Sequence, residues 1–89
     1  MKINYMWHLY IVRGGDGSLY TGIALDVEKR FAAHVSGRGA KYLRGKKNLS
    51  LVFHTPLEGG RSEAQSVEYR VKHLKKSDKE LIIKTGKLL

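Results

Sequence analysis

Two runs of aromatic and β-branched residues, MWHLYIVR (6–13) and SLYTGI (18–23), flank the tetrapeptide GGDG. Such residues pack well on a pleated surface, and a glycine-bearing turn between two of these runs closes an antiparallel hairpin. The expectation is a β-hairpin that places Tyr10 and Tyr20 on neighbouring strands. With 89 residues and no cysteine, the chain is expected to make one domain over 1–89, its motif-bearing part running from about residue 5 to 86. A domain of this size buries only somewhat more than about 60% of the surface its unfolded chain exposes. Neither disulfides nor thiolate-bound metal can staple it, and the scattered histidines lack zinc-site spacing.

After the hairpin, Asp26 is placed to cap a helix and Gly37 to stop it, which predicts a first helix over 27–36. At about 100° per residue, Val27, Phe31 and Val35 form its apolar stripe, with Arg30 and His34 along one border. SGRGAKYLRGKKN (36–48) reads as a loop too polar to be buried. LSLVFH (49–54) alternates Leu49, Leu51 and Phe53 against Ser50, Val52 and His54, as a half-buried third strand does. SEAQ at Ser62 to Gln65 has the form of a capping box opening a second helix, whose buried face is Ala64, Val67, Val71 and Leu74. SDKE at Ser77 to Glu80 repeats that form for a short last helix carrying Leu81 and Ile82 and ending at Gly86. The predicted order is β-β-α-β-α-α, an α+β domain with a small three-stranded antiparallel sheet flanked by helices.

Seventeen Lys and Arg against eight Asp and Glu give a formal charge of +9, which favours a polyanionic partner, nucleic acid first. The charge is concentrated, because no acidic residue occurs from Lys29 to Pro56. Arg38, Lys41, Arg44, Lys46 and Lys47 therefore form a candidate clamp for a nucleic-acid backbone, or else a solvated basic face. No apolar run has the length of a membrane span, and MKINYMWHLYIVR is interrupted too early for a signal peptide, so a cytoplasmic protein without membrane association is expected.

HLYIV with Tyr10, LYTGI with Tyr20 and Gly22, Arg30 ten positions after Tyr20, His34, and SEAQSVEYRVK with Glu68 together resemble the GIY-YIG nuclease domain. The likeness covers nearly the whole chain. DGSLYTGI, GRGAKYLR and RSEA, in that order, are similar to the short standalone YhbQ-like endonucleases of that superfamily. HLY stands in place of GIY and YTG in place of YIG, while the tyrosines and the glycine are kept. Ile23 occupies the position at which UvrC domains carry a lysine, so no role of that lysine transfers.

The resemblance implies a metal-dependent nuclease acting on DNA, in repair or recombination, with Tyr10, Tyr20, Arg30, His34 and Glu68 as catalytic residues. Glu68 would hold one hard divalent cation, Mg²⁺ or Mn²⁺, which needs few protein carboxylates. Its plainer role is an i, i+4 pair with Lys72, itself a candidate DNA contact. Arg30 offers a planar fork of donors to a phosphate, or a surface pair with Asp26. Tyr10, Tyr20 and His34 are the rival general bases, and the two tyrosines alternatively make a cross-strand aromatic pair. Gly22, without a Cβ, admits a close approach beside Tyr20, or marks a bulge. His8, His54 and His73 stand outside the set, and Trp7 is expected in the core. The alternative function is a basic nucleic-acid-binding module, for DNA or RNA, without catalysis. A domain this small is also expected either to cut with little sequence preference or to borrow specificity from a protein partner.

Overall fold

The structure, a computed structural model, describes residues 6–88. Residues 1–5 and 89, which belong to the expected domain and include the start of the segment weighed as a leader, lie outside the described residues. Strands β1 (His8–Arg13), β2 (Leu19–Ala24) and β3 (Ser50–Pro56) and helices α1 (Val27–Val35), α2 (Arg61–Lys72) and α3 (Lys76–Thr85) follow the order β-β-α-β-α-α. The fold is α+β, with an antiparallel sheet in the order β2-β1-β3. No helix among the described residues is long and apolar enough to cross a membrane.

The hairpin forms as its composition demands. Its turn is closed by Gly14 N–H donating to the Ser18 carbonyl (2.9 Å) and by Asp16 Oδ1 accepting from the Ser18 amide (3.0 Å) and hydroxyl (2.6 Å). Tyr10 pairs with Gly22 and Val12 with Tyr20, so these residues share one face of the sheet. Central β1 is covered on both sides. Leu9 and Ile11 meet Phe53, Leu57, Ala64, Val71 and Ile82 in one cluster, beneath α2 and α3. Tyr10 and Val12 meet Ala24, Val27 and Leu43 in the other, beneath α1.

β3 does not keep the simple alternation expected of it. Its register against β1 shifts between Ile11, opposite Phe53, and Val12, opposite Leu51, which leaves Val52 as the extra residue of a bulge. Leu49 and Leu51 therefore pack on the α1 side while Val52 and Phe53 pack on the α2 and α3 side. One apolar strand serves both cores.

Helix α1 begins at Asp26, whose carboxylate accepts from the Lys29 amide at 3.0 Å, and ends with Ser36 as its cap, before Gly37. Its interior face is Val27 and His34, whereas Val35 is 60% exposed. The apolar stripe holds at Val27 and at Phe31, which packs partly buried against the same cluster, and is corrected only at Val35, in whose place His34 is buried with two hydrogen-bond partners. Neither predicted capping box forms: α2 is capped by Gly60 and α3 by Lys75, both without a side-chain bond. Each helix starts before its serine, so Ser62 and Ser77 lie inside the first turn, where their own amides need partners. The basic loop is likewise not wholly polar. It makes a 3-10 turn over Lys41–Leu43 that sinks Leu43 into the α1-side cluster.

At the far end, Arg13 closes a two-pronged ion pair on Glu80, with both N···O distances 2.7 Å. It ties α3 to the end of β1, and both partners are about one-third exposed. Sequence spacing carries no sign of a contact this distant along the chain.

Candidate active site

The α1-side face of the hairpin gathers the chemically active residues. Tyr10, on central β1, is buried with its phenol against His34, its Oη 2.7 Å from Nε2. The Ala40 amide donates to the other ring nitrogen, Nδ1, at 3.1 Å. A neutral imidazole that accepts at Nδ1 carries its proton at Nε2, so His34 donates to Tyr10. Burial, then the positive charge of Arg30, hold the His34 pKa below its ordinary value. Burial, followed by the neighbouring Tyr20, pushes the Tyr10 phenol up to about 12, against the pull of Arg30. At neutral pH Tyr10 is therefore a protonated phenol.

Two glycines make this packing possible. A Cβ at Gly22 would stand 2.5 Å from Tyr10 Oη and 2.6 Å from its Cζ. Gly22 thus accommodates the Tyr10 ring across the strand pair, where the register is regular, and marks no bulge. Gly39 does the same for His34, since a Cβ there would overlap Nδ1. Ordinary contacts cannot absorb either overlap.

Tyr20 sits beside this pair, its ring centroid 6.3 Å from Tyr10 and 5.3 Å from His34. Arg30, on the exposed side of α1, is near enough that its guanidinium bears on both Tyr10 and His34. Helix α2 packs mainly along β2 and brings Glu68 and Lys72 to the same region. The charge of Glu68 is felt at Tyr10. Its side chain is 23% exposed and pairs with Lys72 Nζ at 3.7 Å, while that ammonium also lies 5.8 Å over the Tyr20 ring. Tyr10, Tyr20, Gly22, Arg30, His34, Glu68 and Lys72 thus occupy one neighbourhood.

The basic loop is not uniform. Arg38, Lys41, Arg44 and Lys47 are exposed, and Arg38 is drawn back onto Ser36 by a 3.0 Å bond from its Nε. Lys46 is committed to Asp16 of the hairpin turn at 2.9 Å. That contact, with the Gly15 amide donating to the Lys47 carbonyl at 2.8 Å, stitches the loop to the hairpin. Tyr42 was not among the sequence candidates, yet its ring stacks on Tyr20 with centroids 6.2 Å apart and planes at 23°. The signal for it was an aromatic and a leucine together in an otherwise basic tract. Gly39 and the Ala40 amide had no such signal, because their importance lies in a contact that only the folded loop makes.

Among the described residues no group of three or more His, Asp or Glu side chains converges as a metal cage. The donor set at Glu68 is one carboxylate. That fits a hard divalent cation that keeps most of its water ligands, and does not fit a dehydrated, fully protein-bound ion.

A family model described as the GIY-YIG catalytic domain matches residues 6–81. A UPF0213 protein of Yersinia pestis (strain Pestoides F) is 54% identical over 85 residues, covering 94% of this chain and 88% of its own. The UPF0213 protein of Yersinia pseudotuberculosis serotype O:3 (strain YPIII) is equally similar. Among solved structures, a UPF0213 protein of Bacillus halodurans aligns with TM-score 0.56 at 40% identity, over 89% of this chain and 83% of that one. A protein of E. faecalis aligns with TM-score 0.63 at 34% identity, over 96% and 90%.

Proposed function

Since the chain belongs to the GIY-YIG catalytic domain family, we propose that it is a metal-dependent nuclease that hydrolyses phosphodiester bonds of DNA. The observation that carries this reading is Glu68, a carboxylate drawn partly out of solvent beside Tyr10 and Lys72. A surface that only bound phosphate would gain nothing from a carboxylate there, since like charges repel. Glu68 would hold Mg²⁺ or Mn²⁺. When bound, such an ion neutralises charge on the phosphoryl oxygens.

The remaining roles belong to the chain's own side chains. Arg30 presents two parallel donors to the non-bridging oxygens and stabilises the charge that grows there as water attacks phosphorus. His34 is a positioning residue: its Nε2 proton faces Tyr10 and its Nδ1 lone pair is taken by Ala40, so neither nitrogen is free to act as base. Tyr10, accepting from His34, keeps its own proton for donation toward the reacting phosphate. Tyr20, less enclosed than Tyr10 and next to Lys72, orients the attacking water, whose proton passes to solvent. The bond from phosphorus to the bridging sugar oxygen breaks, and that departing oxygen takes the proton Tyr10 donates. We place DNA repair or recombination as the setting, with target choice supplied by a protein partner.

One observation favours the second reading, a binding module without catalysis: Lys72 already neutralises Glu68 without a metal. Cleavage of a labelled panel of branched and single-stranded DNA, with Mg²⁺ or Mn²⁺ and then with chelator, separates the two. The nuclease reading expects Glu68→Ala and Arg30→Ala each to lose about 100-fold or more in cutting rate while still binding DNA. Salt-sensitive binding by a wild-type protein that cuts nothing with either metal would establish the binding module instead.

A further inference from the structure

Tyr42 is 52% exposed in the middle of the most basic stretch of the chain. Its ring is nevertheless held. The neighbouring Leu43 is buried and anchors the turn, Tyr20 stacks against the ring, and Lys46 Nζ lies 4.8 Å from its centroid while bonded to Asp16. A ring fixed in this way loses little freedom on binding a ligand.

A cleft of about 350 Å³ opens beside it, lined by Leu19, Tyr20, Tyr42 and Lys72. Aromatic faces and one aliphatic wall suit a flat, apolar-faced ring, and Lys72 suits the anion attached to it. Lys72 is also the residue that joins this cleft to Glu68. Further along, Lys79 on α3 lies near enough to Lys72 to feel its charge. The two tyrosine rings, 6.2 Å apart and inclined at 23°, both line this cleft.

We propose that Tyr42 is a stacking platform for an unpaired nucleobase next to the phosphate held at the Arg30 and Glu68 site, and that the protein therefore prefers single-stranded or frayed DNA to intact duplex. The proposal rests on the reading of this site as one for nucleic acid. A base inside a duplex has both faces covered by its neighbours, so it reaches Tyr42 only after unstacking. A single strand offers its bases freely, and any base has a π-face to offer, which makes the contact tolerant of sequence.

The test is binding in the presence of chelator, so that no strand is cut. A labelled single-stranded oligonucleotide carrying 2-aminopurine, and its fully paired duplex, are titrated with wild type, Tyr42→Ala, Tyr42→Leu and Tyr42→Phe at one salt concentration. Losing one stacked base should weaken single-strand binding of Tyr42→Ala and Tyr42→Leu by about fivefold or more. The same variants should lose quenching of 2-aminopurine, keep their duplex affinity, and melt with the wild type. Tyr42→Phe keeps the ring face and should behave as wild type.

Equal losses for single strand and duplex, or full retention by Tyr42→Leu, would overturn the stacking role. Binding of neither oligonucleotide by the wild type, with chelator or with Ca²⁺ in place of Mg²⁺ and Mn²⁺, would overturn the nucleic-acid reading along with it. A wild type that prefers single strands through Tyr42 yet cuts none of them when metal is added would support the platform and reject only the catalysis.

Discussion

His34 is 2% exposed and has both ring nitrogens engaged, one by Tyr10 and one by the Ala40 amide. Protonating it would set two N–H donors against each other at Nδ1, next to the positive Arg30, in a place water does not reach. The depressed pKa in the folded protein fixes the sign of its effect on stability. Above the ordinary histidine value of about 6.5, folded and unfolded chains both hold it neutral. As pH falls through that value the unfolded chain takes up a proton that the folded one does not, so stability is lost on acidification. The urea midpoint of the wild type should therefore fall between pH 7 and pH 5, above the range where ordinary carboxylates titrate at about 4. The midpoint of His34→Gln should fall less over the same interval. Equal slopes would mean that His34 titrates as freely folded as unfolded. Thr21 is the contrasting residue: buried like His34, its hydroxyl has no partner among the described residues. It stands where the family motif has an apolar isoleucine.

At the scale of the element, the helix starts separate a cap that forms from two that do not. Asp26 accepts from the Lys29 amide and holds α1, the helix that carries Arg30 and His34. Asp26→Ala should lower unfolding free energy by about 1 kcal/mol in urea titrations. Ser62→Ala and Ser77→Ala, at serines that resemble caps in sequence only, should change it by less than about 0.5 kcal/mol. A loss at Ser62 as large as at Asp26 would show that α2 begins two residues later in solution, with Ser62 as its cap. The β3 bulge works at this scale too. By turning Leu51 toward Tyr10 and Val12 and leaving Phe53 with Ile11, it lets an edge strand feed both clusters.

For the molecule as a whole, the charge of +9 and its placement set how binding responds to salt. Each phosphate neutralised by Lys or Arg adds about 0.9 to the slope of log affinity against log salt on duplex DNA, and about 0.7 on a single strand. Lys41, Arg44 and Lys47 are exposed on the loop, whereas Lys46 is engaged by Asp16. Charge-removing substitutions at Lys41, Arg44 or Lys47 should each reduce the slope by up to about one phosphate contact. Lys46→Ala should act instead by freeing Asp16 and loosening the Tyr42 turn, which weakens binding with little change in slope. A slope untouched by the substitutions at Lys41, Arg44 and Lys47 would move the backbone contact away from the 36–48 loop.

Local patterns determined much of this protein. The hairpin, the order of elements, the Asp26 cap and the basic block were all legible, because each depends on residues close together along the chain. The motif residues Tyr10, Tyr20, Arg30, His34 and Glu68 could be named from their spacing and their resemblance to a family. What they do to one another could not. Only the folded sheet and loop decided that Gly22 makes room for Tyr10, that Gly39 and Ala40 lock the His34 ring, that Tyr42 stacks on Tyr20, and that Glu80 reaches Arg13. The same is true of the bulge that splits Leu51 from Phe53. Those outcomes depend on distances between residues far apart in the chain, and on which buried polar groups find partners. Periodicity and propensity carry no information about either.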